Sequence, residues 1–146
     1  MPSLTRQINV IGRCASMYRA EQLKDTDLGP IHHSYILAVC NNPGISQDAL
    51  AKHICINRSN VTRQLTYLEE KGYVERHTSE TDRRVLLVYP TDKATESLPR
   101  IREMLKVWNE YLTEGFSADE LDQLHEMLGR IADRAKAYVE NQGGAE

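Results

Sequence analysis

Residues 56–89, INRSNVTRQLTYLEEKGYVERHTSETDRRVLLVY, leave a chain few folds to choose from. Ile56, Val61, Leu65 and Leu68 recur near a 3.6-residue period, so the segment opens as a helix with one buried stripe. Its other face carries Arg58, Ser59, Asn60, Thr62, Arg63 and Thr66, and no carboxylate occurs before Glu69 and Glu70. Cations and hydrogen-bonding side chains in the first turns, with acids held back to the end, suit a helix that enters a DNA groove. Gly72 then stops the helix. Two β-branched runs follow, 73–76 and 85–89, separated by the polar segment HTSETDRR, and they predict a hairpin with a basic tip. The second run is apolar on both faces, which predicts that helices cover it on each side. Helix and basic hairpin together make a winged reading unit.

The residues just before this stretch supply its support. Ser46 is placed to cap a short helix with Asp48 in its first turn and with Leu50, Ala51 and Ile54 on its inner face. Asn57 caps the next helix a few residues later, and two helices joined by so short a turn predict a helix-turn-helix. That cap puts Arg58, Ser59 and Asn60 at the helix N-terminus, where unpaired N–H groups favour phosphate.

The ends of the chain read differently. Leu4, Ile8, Ile11, Ala15 and Tyr18 step by four and three over a first helix of residues 4–24, and a second helix is expected over 30–40. After the wing, Thr91 caps a helix running to about residue 114, bent at Pro99, with Trp108 and Tyr111 expected in its core. Ser117 and Glu120 have capping-box spacing, and Leu121, Leu124, Leu128, Ile131, Ala135 and Tyr138 continue the four-three alternation. Such seams at both ends need partner helices, which a homodimer supplies. The expected organisation is an N-terminal dimerisation helix (1–29), a winged helix-turn-helix domain (30–90) and C-terminal dimerisation helices (91–146). The fold class is mainly α with a small β-hairpin wing, in the order α1-α2-α3-α4-wing-α5-α6.

Charge distribution agrees with that division. The 146-residue chain has a net charge of -3, but residues 51–108 hold 11 basic and 8 acidic side chains while 109–146 hold 3 and 9. Positive charge is concentrated where DNA would lie, and the acidic end would be repelled by phosphate. No apolar run approaches the roughly 18 residues of a membrane span, and residues 1–13 lack the apolar block of a signal peptide, so a cytoplasmic chain without membrane attachment is expected. Three cysteines without CxxC spacing predict free thiols. No phosphate loop, nucleophile elbow or metal-helix motif is present, so neither an enzyme nor a cofactor is expected.

The run INRSNVTRQLTYLEEKGYVER, the wing TDRR and the cap at Thr91 together resemble the MarR family of bacterial winged helix-turn-helix regulators. The wing carries the most specific part of the resemblance, an Asp, any residue, Arg pattern matched by Asp82 and Arg84. Pro90 and Ala94 depart from it at the joint between wing and helix. The resemblance implies a DNA-bound homodimer that represses transcription from a pseudo-palindromic operator and is released by a small ligand, often an aromatic or phenolic one. It also implies that Asp82 anchors an Arg84 entering the minor groove. The DNA-contact candidates are Lys52, Asn57, Arg58, Ser59, Asn60, Thr62 and Arg63 around the reading helix, and Arg76, His77, Asp82, Arg83 and Arg84 on the wing. Tyr18, His32, His33 and Tyr35 are candidates for lining an effector pocket.

Cys14 reads first as a small core residue at a helix interface. The alternative is a thiol sensor resembling the peroxide-responsive branch of the family, with Tyr18 and Tyr35 supplying hydroxyls. Zinc is not expected, because His32 and His33 are adjacent and no HxxxH pair exists. A helical adaptor that binds protein instead of DNA is the remaining alternative, and the acid-free face of residues 51–67 weighs against it.

Overall fold

A computed structural model of the chain describes residues 3–143. It contains six helices and one three-stranded antiparallel sheet: α1 (Leu4–Gln22), α2 (His32–Asn41), β1 (Ile45–Ser46), α3 (Gln47–Ile54), α4 (Arg58–Glu70), β2 (Val74–Thr78), β3 (Leu86–Pro90), α5 (Asp92–Leu112) and α6 (Ala118–Gly143). The chain divides into two compact units, Met1–Lys106 and Val107–Glu146.

In the first unit the caps fall where side-chain chemistry puts them. Ser46 accepts from the Ala49 N–H and Asn57 from the Asn60 N–H, each satisfying one of the free donors at a helix start. Helix α4 ends in a Schellman arrangement, with Tyr73 N–H donating to the Leu68 carbonyl and Gly72 N–H to that of Glu69. Gly72 there has φ +81°, a conformation that a side chain would strain. The turn between α3 and α4 uses the same device with Cys55 in the left-handed region (φ 57°), Ile56 N–H donating to the Ala51 carbonyl.

The apolar stripe of α4 is fully buried: Val61, Leu65 and Leu68 pack with Ile36, Val39, Leu50, Val74, Val88 and Ile101 in one core. This core fixes α4 against α2, α3 and the sheet, so the polar face of the same helix is turned outward.

The sheet departs from expectation in three ways. A third strand, β1, pairs with β3 through Ile45 with Val88 and Ser46 with Leu87, giving the order β1-β3-β2. Strand β3 is covered on one side only: Val88 is buried, while Tyr89 on the opposite face is exposed, and Leu86 shares the face of Val88 but lies beyond the core toward the wing tip. A two-layer arrangement of sheet on helices needs only one apolar face, and the apolar residues on the other line the outside of the wing. The β2–β3 ladder also reaches two residues further into the hairpin than the apolar run, ending at Thr78 with Leu86. Helix α2 begins at His32, not Pro30, because the Pro30 carbonyl accepts from Arg19 Nε at 2.8 Å and the His33 ring at 3.0 Å within the preceding turn.

Along α1, Leu4, Ile8 and Ile11 are about half exposed and only Ala15 of the seam is buried. Cys14 is exposed too, so it is not a core residue of the single chain.

The second unit comprises the end of α5 and all of α6. Its capping box is complete, with Glu120 N–H donating to Ser117 Oγ at 3.2 Å and Ser117 N–H to the Glu120 carboxylate at 2.8 Å. None of the described α6 residues is buried, and Leu128 and Tyr138 of its seam are exposed. Trp108 stacks on Tyr111 at 6.2 Å, but Tyr111 is 70% exposed, so the expected core pair lies at the surface of the single chain. Helix α5 itself runs through Pro99 without interruption.

Candidate nucleic-acid interface

Two elements carry the candidate side chains. On α4 the first turns are pre-arranged by hydrogen bonds among the candidates themselves. Asn57 Oδ1 accepts from Asn60 N–H and from the Ser59 hydroxyl, and Arg63 Nη2 donates to Asn60 Oδ1 at 3.0 Å, one turn along the helix. Thr62 donates to the Arg58 carbonyl and accepts from Gln47 Nε2 at 2.6 Å. Arg58 lies 3.5 Å from Asp48, both largely exposed, a pair worth little in stability. Lys52 is exposed near the end of α3.

At the wing tip Asp82 holds Arg84 in a fork. Arg84 Nε and Nη2 donate to the two carboxylate oxygens at 3.1 Å each, and its backbone N–H donates to Oδ1 at 3.1 Å. These bonds hold the Asp82 carboxyl below the usual range. The Arg84 side chain nevertheless remains 90% exposed. An extended cation oriented by a carboxylate and surrounded by solvent can enter a narrow, electronegative groove with little loss of side-chain freedom on binding. Arg83 is exposed beside it.

Strand alternation separates the two remaining wing candidates. Arg76 shares the helix-facing side of β2 with buried Val74, and its guanidinium donates to Thr66 Oγ1 at 3.1 Å and Glu69 Oε1 at 3.2 Å. Its hydrogen bond to Glu69 holds that carboxyl below its ordinary range. His77 points to the opposite face, 3.3 Å from Glu75 and edge-on to Tyr89. A polar cleft of about 90 Å³ lies between the start of α3 and the wing base, lined by Gln47, Asp48, Arg84, Val85 and Leu86, and a shallower groove of about 710 Å³ follows the outer face of the wing.

The effector candidates lie behind α4. Gly29 N–H donates to His32 Nδ1 at 2.8 Å, so the ring proton is on Nε2, which donates to Gln64 Oε1 on α4 at 2.9 Å. His32 stacks on Tyr67 at 5.0 Å, and Tyr67 donates to the Asp27 carbonyl at 2.6 Å. Tyr35 is fully buried, and its hydroxyl has no hydrogen-bond partner among the described residues. Tyr18 donates to the Met104 carbonyl at 3.1 Å. Neither the cleft nor the groove at the wing is lined by any of these four residues.

Burial pushes the His32 ring toward the neutral form, and burial with the nearby Arg19 does the same for His33. A histidine with a depressed folded pKa binds more protons when unfolded. Its stabilising effect is therefore complete above the unfolded value, about 6.5, and is lost as pH falls below it. The urea midpoint is expected to drop between pH 7.5 and 5.5, and less so in His32→Gln. An equal drop in that variant would show that His32 is not responsible.

The sequence does not reveal Gln47 as the partner of Thr62, Glu69 and Thr66 as the partners of Arg76, or Gln64 as the partner of His32. Threonines at 62 and 66, one turn apart, were the available signal.

Among the described residues no helix is long and apolar enough to cross a membrane, and no cluster of three or more histidine, cysteine or acidic side chains is placed to hold a metal ion. Residues 26–85 match the model of the MarR family. The HTH-type transcriptional regulator YybA of Bacillus subtilis (strain 168) is 27% identical over 131 residues, 90% of this chain and 87% of that protein. The structure of the transcriptional regulator SlyA superposes with a TM-score of 0.92 at 27% identity, covering 95% of this chain and 98% of the other. The transcriptional repressor CouR, bound to a 23-mer DNA duplex, superposes with a TM-score of 0.78 at 28% identity over 89% and 92% of the two chains.

Proposed function

The chain belongs to the MarR family of transcriptional regulators, and from that premise we propose that it acts as a homodimeric repressor on a pseudo-palindromic operator and is released by a small aromatic or phenolic effector. The observation that carries this reading is the pairing of the hydrogen-bonded polar face of α4, acid-free over its first turns, with the exposed, carboxylate-held Arg84 at the wing tip. In this reading Asn60 and Arg63 meet base edges, Arg58, Ser59 and Lys52 meet phosphates, and Arg84 reaches the minor groove. Residues 30–90 form the DNA-binding part, and the helices of 1–29 and 91–146 supply the dimer body. Exposed seam residues on α1 and α6 support that assignment, since Leu4, Ile8, Ile11 and Leu128 stay about half exposed in the single chain. The DNA-bound repressor CouR supports repression as the mode of action.

The test is the salt dependence of binding to duplex DNA. Each phosphate neutralised contributes about 0.9 to the slope of log K against log salt, so a dimer using six or more contacts should show a slope steeper than about -5. A flat dependence would favour a protein-binding adaptor instead.

A further inference from the structure

Arg76 looks, by charge and by its place on the wing, like one more phosphate contact. Its surroundings assign it another task. Its side chain is only 15% exposed, against 90% for Arg84 on the same wing. Its guanidinium donates to Thr66 and Glu69, and its backbone N–H donates to the other oxygen of the same carboxylate at 3.0 Å. Strand β2 lies at the edge of the sheet, so that N–H points away from β3 and Glu69 satisfies a donor the ladder leaves over.

One carboxylate on the last turn of α4 thus grips both the backbone and the side chain of a single wing residue. The grip continues along the helix. Thr66 donates to the Thr62 carbonyl, while Thr62 accepts from Gln47 on α3, so the polar face of α4 is tied to α3 at one end and to the wing at the other.

Building on the proposed DNA-reading function, we propose that Arg76 and Glu69 form a positioning clamp that sets the wing against the reading helix, so that Arg84 and Arg63 reach their grooves together. Glu69 is the informative half. A carboxylate near DNA repels phosphate, so its removal should tighten binding unless it holds something in place.

The experiment measures affinity, by fluorescence anisotropy across a salt series, for a labelled duplex selected from a random pool by the wild-type protein. Glu69→Gln, Arg76→Lys and Arg76→Gln are compared with the double variant Glu69→Gln/Arg76→Gln. The clamp predicts that all three single variants weaken binding about tenfold and that the double variant is no weaker than either of its parents. The salt slope should stay within about 0.3 of wild type, because no phosphate contact is lost. Lysine should not rescue, since a point charge cannot replace the planar fork. Discrimination between the selected duplex and random DNA should fall in the same proportion, which a loss of fold stability alone would not produce.

Tighter binding by Glu69→Gln, rescue by Arg76→Lys, or a slope reduced by about 1.8 (about 0.9 for each subunit) in Arg76→Gln would each overturn the clamp and make Arg76 a phosphate contact. Unchanged discrimination with a lowered melting temperature would overturn it in favour of a purely structural pair. A wild-type protein that enriches no duplex would overturn instead the DNA-reading function on which the clamp rests.

Discussion

Leu65→Ala is expected to lower the unfolding free energy by about 2–5 kcal/mol, read from urea denaturation at fixed protein concentration. Leu65 is fully buried on α4, at the point where the helix meets the rest of the core. Truncation removes the transfer energy of its side chain and leaves a cavity that surrounding Val61, Leu68 and Val88 can only partly close. Against a typical total of about 5–15 kcal/mol, a loss of this size should also cost DNA binding, because the outward orientation of Arg63 and Asn60 depends on the packing of the opposite face. A loss below about 1 kcal/mol would mean that α4 is not anchored through this residue.

Arg84→Ala is expected to do the reverse, sparing the fold while weakening DNA. With the side chain 90% exposed, its removal uncovers no core, and the melting temperature should stay within a degree or so of wild type. Affinity for the selected duplex should fall by about 1–3 kcal/mol, roughly 5- to 150-fold, with the salt slope smaller by about 1.8, or about 0.9 for each subunit. Asp82→Asn provides the control. It leaves the cation and removes the charged half of the fork that orients it, so a smaller loss with an unchanged slope is expected. Unchanged affinity of Arg84→Ala at physiological salt would remove the wing tip from the interface.

The reading helix was legible in the sequence because its signals are local. Asn57 caps it, Gly72 ends it, and Val61, Leu65 and Leu68 are spaced for one face, so short-range chemistry and the tertiary core agree. The N-cap at Ser46 and the capping box of Ser117 and Glu120 were legible for the same reason. Cys55 was not, because nothing in a cysteine announces a left-handed turn residue, and the neighbouring Asn57 is the more obvious turn signal. Strand β1 is two residues long and exists only through its pairing with β3, a contact more than forty residues away in sequence. The Arg76–Glu69 pair joins a helix to a strand across a turn, so the periodicity within either element does not bring the two together.

Seam residues were legible as apolar but not as buried. Periodicity states which side of a helix is oily and says nothing of which chain covers it. That is why Tyr111, expected in a core, lies open in the single chain, and why Leu87 and Tyr89 line the outside of the wing. Charge showed a similar ambiguity. Arg76 and Arg84 are equal cations in the sequence, and only their acceptors distinguish a held residue from a presented one.

In the proposed function, two copies of α4 and its wing read DNA symmetrically. Selection of bound duplexes from a random pool tests it most directly. Wild-type protein should enrich a sequence containing two inverted half-sites with centres about one helical turn, roughly 10 base pairs, apart. Enrichment of no sequence over the starting pool, or of a single half-site without an inverted partner, would contradict it.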